Sequence, residues 1–357
     1  MPSPHLPPVV WSPYTRLHRP GAEIWVGVPT VGTEVPERVD RILDEARSQG
    51  LEVLEAKAHD DDVLRDVHDA DLLDHLASVH AGWMESEIPD LVGQRKVVPY
   101  MFATRAMLGG LPGRLPAAIH ARAGWYCYDT MTLVGEGTWR AARSAVDCAL
   151  TAVELVVSGD RRAAYALCRP PGHHATSGGF GGSCYLNNSA VAAEALRRSG
   201  HERVAVVDVD AHHGNGTESI FYNRGDVFYG SVHIDPGAGW FPHVVGFADE
   251  TGVGEGIGTT LNVPLPPGAG DGPWTEAVQR LATAVTVHGA SALVVSLGVD
   301  AAADDPESPL QVTRDGYGAA GRILAGLSLP TVLVQEGGYH LESLGGLVTS
   351  VLTAFPA

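Results

Sequence analysis

Short apolar runs alternate with longer amphipathic segments along most of this chain. The apolar runs have the length of strands, whereas the segments between them have apolar positions at helical spacing. We predict strands at residues 23–28, 51–55, 163–168, 203–208, 227–231, 260–265, 292–297 and 331–335. We predict helices at residues 36–48, 71–80, 138–157, 186–198, 274–288, 313–327 and 341–352. This alternation indicates an α/β fold with a central eight-stranded, mostly parallel sheet and helices on both faces.

Polar groups follow four of the predicted strands. Asp210 and His212 lie two residues apart after the run 203–208, so their side chains can face one point and form half of a metal site. His173 and His174 follow another strand, Asp300 a third and Tyr339 a fourth. Each group alone would usually be a solvated loop, a helix cap or a turn. Together they indicate one catalytic site, because open parallel sheets bind ligands beyond the carboxyl ends of their strands.

Composition narrows the class of protein. The 357 residues are 45% hydrophobic, and 24 Lys and Arg against 42 Asp and Glu give a formal charge of −18. This charge argues against nucleic acid as a partner, and we expect none. We find neither a signal peptide nor a run long enough to span a membrane. Since the four cysteines show no CxxC pairing, we expect reduced thiols and a cytoplasmic protein that forms one domain over residues 1–357.

Five segments carry a family resemblance, namely residues 169–175, 184–188, 208–217, 296–300 and 336–339. In this order along the chain they resemble segments of the zinc-dependent histone deacetylase superfamily. Within it, the bacterial acetylpolyamine amidohydrolases and the class II-like deacetylases are most similar, over residues 23 to 357. The similarity implies the arginase/deacetylase-like fold.

This resemblance implies a set of roles for the residues at the strand ends. Asp210, His212 and Asp300 would bind one Zn²⁺. His174 would act as general base and acid, His173 as its electrostatic partner and Tyr339 as hydrogen-bond donor to the oxyanion. Asp208 and Asn215 would orient the two histidines. A structural K⁺ would be bound near Asp208, Asp210, His212, Ser231 and Val232.

Arginases share this architecture but bind two manganese ions with additional carboxylates. Here Gly214 and Gly298 stand where those carboxylates would be, so the resemblance favours one metal ion. The ligand types alone leave Fe²⁺ open as an alternative to zinc.

The substrate channel departs from the family pattern. An aromatic residue usually precedes the cysteine of the Cys-Tyr-Leu-Asn-Asn segment, whereas this chain has Ser183. Either the channel is wider or more polar on that side, or Phe180 or Trp240 folds in to compensate. The residues we expect to contact substrate are Asp129, Phe180, Gly182, Ser183, Trp240 and Phe241.

The segment at about residues 83–128 does not show the alternation of strand and helix that is predicted for the rest of the chain. It is similar in place to the insertion through which acetylpolyamine amidohydrolases dimerise and narrow the active-site entrance, so we expect a homodimer. The resemblance predicts a zinc-dependent amidohydrolase that removes an acyl group, such as acetyl, from an acetylpolyamine or a small N-acyl metabolite. A protein lysine deacetylase is the alternative, and a non-catalytic binder of acylated ligands is a third hypothesis.

Overall fold

The fold is built on eight parallel strands in one twisted sheet. A computed structural model describes residues 6–355. Along the sheet the strand order is β4-β1-β5-β10-β9-β6-β7-β8. These strands are β1 (Val9–Trp11), β4 (Val53–Glu55), β5 (Ala163–Ala166), β6 (Val204–Asp208), β7 (Val227–Ile234), β8 (Thr260–Leu265), β9 (Ala292–Leu297) and β10 (Thr331–Gln335). A separate antiparallel hairpin consists of β2 (Glu23–Trp25) and β3 (Val28–Thr30).

Helices cover both faces of the sheet, which confirms the predicted fold class. They are α1 (Glu37–Ser48), α2 (Asp62–Val67), α3 (Ala70–Glu85), α4 (Ile88–Val92), α5 (Arg105–Leu108), α6 (Ile119–Tyr126), α7 (Thr138–Val157), α8 (Asn188–Arg198), α9 (Asn215–Phe221), α10 (Asp271–His288), α11 (Arg314–Ala325) and α12 (Leu344–Leu352). Alternate residues of β6 enter opposite layers of the core. Val204 and Val206 belong to the core layer that includes residues of α7 and α8, whereas Ala205 and Val207 belong to the layer that includes residues of α1, α10, α11 and α12. All five residues of β6 are buried, as expected for a central parallel strand.

Two details of the predicted strands were wrong. The run 23–28 does not enter the central sheet, because the chain reverses at Val26 and Gly27, which both have positive φ. Its place in the sheet is taken by Val9–Trp11, a three-residue strand that the sequence analysis missed. The other seven predicted strands and all seven predicted helices are present with small shifts at their ends.

The segment 83–128 contains short helices rather than a strand and helix repeat. The end of α3 is followed by α4, α5 and α6. Two bridges, Val97 with Val134 and Cys127 with Phe180, tie the segment to the body of the protein. Several of its apolar side chains are exposed, among them Leu91, Tyr100 and Leu111. No helix within residues 6–355 is both long and apolar enough to cross a membrane.

Candidate active site

The carboxyl ends of the central strands place the predicted residues around one point. β6 lies between β9 and β7, and Asp208 at its end pairs in register with Ser296 and with Ser231. The loops after β6 and β9 therefore leave the sheet at the same level and bring Asp210 and Asp300 together.

Asp210, His212 and Asp300 form a compact group of metal-binding side chains. One ligand atom from each lies within 4.8 Å of the others. The His212 Nδ1 is 3.0 Å from Asp300 Oδ2 and 3.4 Å from Asp210 Oδ1. Backbone N–H groups hold the other carboxylate oxygens, since Gly337 donates to Asp210 Oδ2 and Ala211 to Asp300 Oδ1, each over 2.7 Å. One imidazole nitrogen and two carboxylate oxygens fit the three protein ligands of a catalytic zinc site.

The electrostatics of this group also favour a cation. Burial opposes a charge on His212, but hydrogen bonds to Asp210 and Asp300 outweigh it and raise the imidazole pKa well above its usual value. Burial beside Asp210 raises the pKa of Asp300 to about 7. The two buried carboxylates thus favour a proton, and with it a positive charge, on His212. A metal ion replaces such a proton when it binds.

The structure leaves no room for the additional carboxylates of a two-metal site. A Cβ atom at Gly298 would lie 2.0 Å from Asp210 Oδ2, and one at Gly214 would lie 2.3 Å from Asp208 Oδ2. Both are far below a normal van der Waals contact, so no side chain fits at either position. This geometry supports the expectation of a mononuclear site.

His173 and His174 lie side by side next to the metal-binding group. Their ring centroids are 4.1 Å apart. The His173 Nδ1 lies 3.0 Å from Asp208 Oδ2, and the His174 Nδ1 lies 2.8 Å from Asn215 Oδ1. Since both partners accept a hydrogen bond, each Nδ1 carries a proton. The Nε2 of His174 is then free to accept one, and hydrogen bonds to Asp208 and Asn215 hold the two rings in place.

The two histidines differ in their affinity for a proton. Although burial opposes it, the charges of Asp210 and Asp208 raise the pKa of His173 to about 10. Burial, together with the positive charges of His173 and His212, holds the pKa of His174 well below its usual value. This environment therefore favours the imidazolium form of His173 and the neutral form of His174, whose Nε2 can accept a proton.

Tyr339 reaches the site from the loop after β10. The Tyr339 N–H donates to Asp305 Oδ2 over 2.6 Å, and the Arg38 guanidinium carbon lies 4.9 Å from the centroid of its ring. Arg38 also donates to the carbonyl oxygens of Glu336 and Gly338, which fixes the loop. Burial raises the pKa of Tyr339 well above its usual value, so its hydroxyl remains a donor.

A small cavity of about 90 Å³ leads to these groups. Three of the residues predicted to contact substrate line it, namely Gly182, Ser183 and Phe241. The Phe241 ring stands edge-on to His174 with centroids 4.7 Å apart. His174, His212 and Tyr339 line the same cavity, which places the catalytic candidates at the end of one channel.

The remaining three predicted contacts lie elsewhere. Phe180 is fully buried and stacks on Tyr185, and Trp240 packs against the core, so neither replaces the missing aromatic wall. Asp129 acts indirectly, because its Oδ2 accepts a hydrogen bond from the Gly182 N–H over 2.6 Å. It holds the loop that carries Ser183.

Sequence reasoning missed four residues of this channel. Met131 stands in the wall beside Ser183, and Glu23, Thr33 and Glu307 line the entrance. The Thr33 hydroxyl donates to Glu307 Oε1 over 2.7 Å. These residues come from the hairpin β2–β3 and from loops distant in sequence, so only the packing of the folded chain brings them to the site.

Comparison with known proteins agrees with this geometry. The family model for the histone deacetylase domain matches residues 32–355. An acetylpolyamine amidohydrolase of Burkholderia pseudomallei is 42% identical over 348 residues, which are 97% of each chain, and one of Mycoplana ramosa is 38% identical over 96% of this chain and 98% of its own. The crystal structure of acetylpolyamine aminohydrolase from Burkholderia pseudomallei superposes with a TM-score of 0.92 at 41% identity, covering 98% of this chain and 99% of that chain.

Proposed function

Because this chain belongs to the histone deacetylase family and is therefore a hydrolytic enzyme, we propose that it removes acetyl groups from small acylated amines such as acetylpolyamines. The observation that carries the proposal is the convergence of three metal-binding side chains and a neutral His174 at the end of one channel. Relatives named for this activity match nearly the whole chain.

Asp210, His212 and Asp300 are the proposed ligands of a zinc ion, and Fe²⁺ suits the same ligand types. When bound, the ion would polarise the amide carbonyl and make the attacking water more acidic. A potassium ion near Asp208, Asp210, His212, Ser231 and Val232 is the second proposed cation. The pairing of Asp208 with Ser231 in neighbouring strands supports that grouping.

In this mechanism His174 transfers the protons, and His173 acts beside it. The unprotonated Nε2 of His174 faces the channel and takes a proton from the attacking water, while Asn215 keeps its Nδ1–H in place. His173 is held as an imidazolium by Asp208 and stabilises negative charge that develops beside it. His174 then returns the proton to the departing amine nitrogen. The Tyr339 hydroxyl donates to the oxyanion of the tetrahedral intermediate.

Two carboxylates at the entrance favour a cationic substrate. Burial, together with the negative charges of Glu307 and Asp129, raises the pKa of Glu23 to about 7. A protonated amine bound at this entrance would relieve that repulsion and keep both carboxylates charged. Polyamines carry such amines at a distance from the acetylated nitrogen. Peptides with acetyl-lysine do not in general.

Turnover on a matched substrate panel tests the proposal. We expect the zinc-loaded protein to cleave acetylputrescine and acetylspermidine faster than acetyl-lysine peptides, and to lose activity with a chelator. Tyr339→Phe should reduce kcat by about 10² to 10³ while the bound zinc, measured by atomic emission, stays unchanged. Tyr100→Phe removes a hydroxyl from an exposed tyrosine and serves as the control.

The other outcomes separate the alternatives. Faster cleavage of acetyl-lysine peptides would identify a protein lysine deacetylase, which is the second hypothesis. Tight binding of acetylated ligands without turnover would indicate a non-catalytic binder. If Tyr339→Phe were fully active, the proposed mechanism would be wrong.

A further inference from the structure

A large cavity lies outside the active site. It has a volume of about 1010 Å³ and shares no lining residue with the catalytic channel. The end of α3, the start of α7 and the segments around residues 17–19 and 95–96 form its walls. Its charged or titratable lining residues are Arg19, His80, Arg95, Lys96, Glu136 and Arg140.

Basic side chains dominate this cavity although the whole chain is strongly acidic. Arg19, Arg95, Lys96 and Arg140 face it together with one carboxylate, Glu136. None of these four cations forms a salt bridge within residues 6–355. By contrast, the buried Arg38 and Arg169 both form salt bridges with Glu34. In a chain with a formal charge of −18, four cations against one carboxylate around one concavity are an unusual concentration of positive charge.

Lys96 has a side chain that is half-buried rather than fully solvated. It is one of two lysines in the sequence, and the other, Lys57, pairs with Glu154 over 3.0 Å. The Lys96 ammonium instead donates to the carbonyl oxygen of Arg19. An ammonium group has three donors, so it retains capacity for an anionic partner. Burial alone lowers its pKa, which an anion placed beside it would reverse.

Arg140 approaches the cavity from the first turn of α7. Its guanidinium carbon lies 3.7 Å from the centroid of the Tyr14 ring, which restricts the side chain before any ligand binds. Leu17 and Met84 add apolar surface to the lining. The cavity thus combines a positive rim with an apolar wall, which is the combination that binds an anion attached to an organic body.

We propose that this cavity is a second ligand site, which binds a small organic oxyanion through Arg19, Arg95, Lys96 and Arg140. Phosphate monoesters and carboxylic acids are both ionised at neutral pH and share the oxyanion chemistry that it recognises. Arginine forks match both groups with paired hydrogen bonds, and Lys96 supplies a point charge. The site is independent of the acyl-amine substrate, which is cationic.

Isothermal titration of the zinc-loaded protein with phenyl phosphate and with benzoate tests the site. Both probes carry an aromatic body, and they separate phosphate from carboxylate recognition. Arg19→Gln with Arg95→Gln removes two exposed side chains that make no hydrogen bond among the described residues, so the fold should be retained. Arg41→Gln with Arg280→Gln is the matched control, since it removes the same charge from exposed positions outside the cavity.

We expect one saturable site for at least one probe, with a Kd that rises tenfold or more in Arg19→Gln/Arg95→Gln and less than twofold in the control. Lys96→Gln should weaken binding in the same direction. Absence of saturable binding for both probes would overturn the proposal. Equal weakening in both double variants would also overturn it, because net charge rather than the cavity would then govern binding. Deacetylation assayed in parallel identifies a probe that binds the catalytic metal instead, since it would inhibit every variant alike.

Discussion

At the scale of single residues, His173 and His174 show how environment divides two identical side chains into two roles. Both are buried, and each donates its Nδ1–H to one partner. The partner of His173 is the carboxylate of Asp208, which stabilises an imidazolium, whereas the partner of His174 is the neutral amide of Asn215. The neighbouring charge then disfavours a second imidazolium at His174. Pairs of groups whose pKa values are pushed apart are typical of acid and base catalysis.

Asp305 is a positioning residue for Tyr339. Its Oδ2 accepts the N–H groups of Tyr339 and His340, and it is 7% exposed. Asp305→Ala frees this turn, and we expect kcat to fall about 10- to 100-fold, as for other supporting residues, with KM little changed. Asp305→Asn keeps one acceptor oxygen and should recover part of the loss. Steady-state kinetics measure both variants, and zinc content shows whether the metal site is intact. A loss that appeared only in KM would contradict a role through Tyr339.

Ser183 determines the width of the channel opposite Phe241. Its neighbour in the wall is Met131, a flexible side chain that can move away from a bulky ligand. We therefore expect Ser183→Phe to restore a narrow slot, which favours unbranched acetylpolyamines over N-acyl amines with branched or aromatic stems. The measurement is the ratio of kcat/KM for acetylputrescine and for N-acetylbenzylamine, which should rise several-fold. Ser199→Phe, at the exposed C-terminal end of α8, is the control. An unchanged ratio would mean that Met131 already closes the slot.

The candidate residues that could be predicted from sequence are those with a fixed place relative to a strand. Asp210 and His212 follow β6 directly, and Asp300 follows β9, so strand alternation and the common edge of the sheet locate them. Glu23 and Glu307 had no such signal. They meet at the entrance because a hairpin and a loop 284 residues apart fold over the same edge. Phe180 is an aromatic residue of the kind expected in a channel wall, but its side chain packs inward on Tyr185.

At the scale of elements, periodicity located the long helices and the fully buried strands, and failed for the shortest strands. Helix α7 was predicted at the residues where it is found, because its buried face repeats over 20 residues. Strand β1 has three residues between prolines, too few for any period to be visible. The hairpin β2–β3 has apolar residues that remain exposed, such as Trp25 and Val28. A hydrophobic run there indicated a core strand that the fold does not contain.

The attachment of α7 to the loop before α2 should depend on pH. The ring of His59 lies 3.3 Å from Asp147 and 3.2 Å from Glu154, both on α7, and the hydrogen bond to Asp147 raises its pKa against the opposing effect of burial. A histidine whose pKa rises on folding stabilises the protein fully below the unfolded value of about 6.5 and loses this contribution as pH rises through the folded value.

We therefore expect His59→Asn to lower the free energy of unfolding by about 1 kcal/mol at pH 5.5 and by much less at pH 9. Thermal or urea unfolding of both proteins at these two pH values measures the difference. His80→Asn, at a partly exposed histidine without a salt bridge among the described residues, is the control. If the destabilisation were equal at both pH values, the ion pairs would not contribute and only packing of the ring would matter.

At the scale of the whole molecule, exposed apolar side chains recur in the hairpin β2–β3 and in the segment 83–128. The hairpin β2–β3 hydrogen-bonds through Ile24 to Thr130, next to Met131 of the channel wall. Its exposed Trp25, Val26 and Val28 therefore lie close to the entrance. The segment 83–128 adds exposed Leu91, Val92, Tyr100, Met107 and Leu111. Apolar surface of this kind is typical of a contact between subunits.

We accordingly predict a homodimer that uses the segment 83–128 and restricts access to the channel. Light scattering after size exclusion should give twice the chain mass of 37.5 kDa. Leu91→Glu with Leu111→Glu places two charges in the contact and should yield monomers, whereas Val287→Glu, at an exposed position on α10, should not.

If the partner narrows the entrance, the monomer should cleave acetyl-lysine peptides relatively better than acetylputrescine, because long chains then reach the channel. A wild-type protein that runs as a monomer at micromolar concentration would refute the dimer, and unchanged substrate preference in the monomeric variant would separate assembly from access.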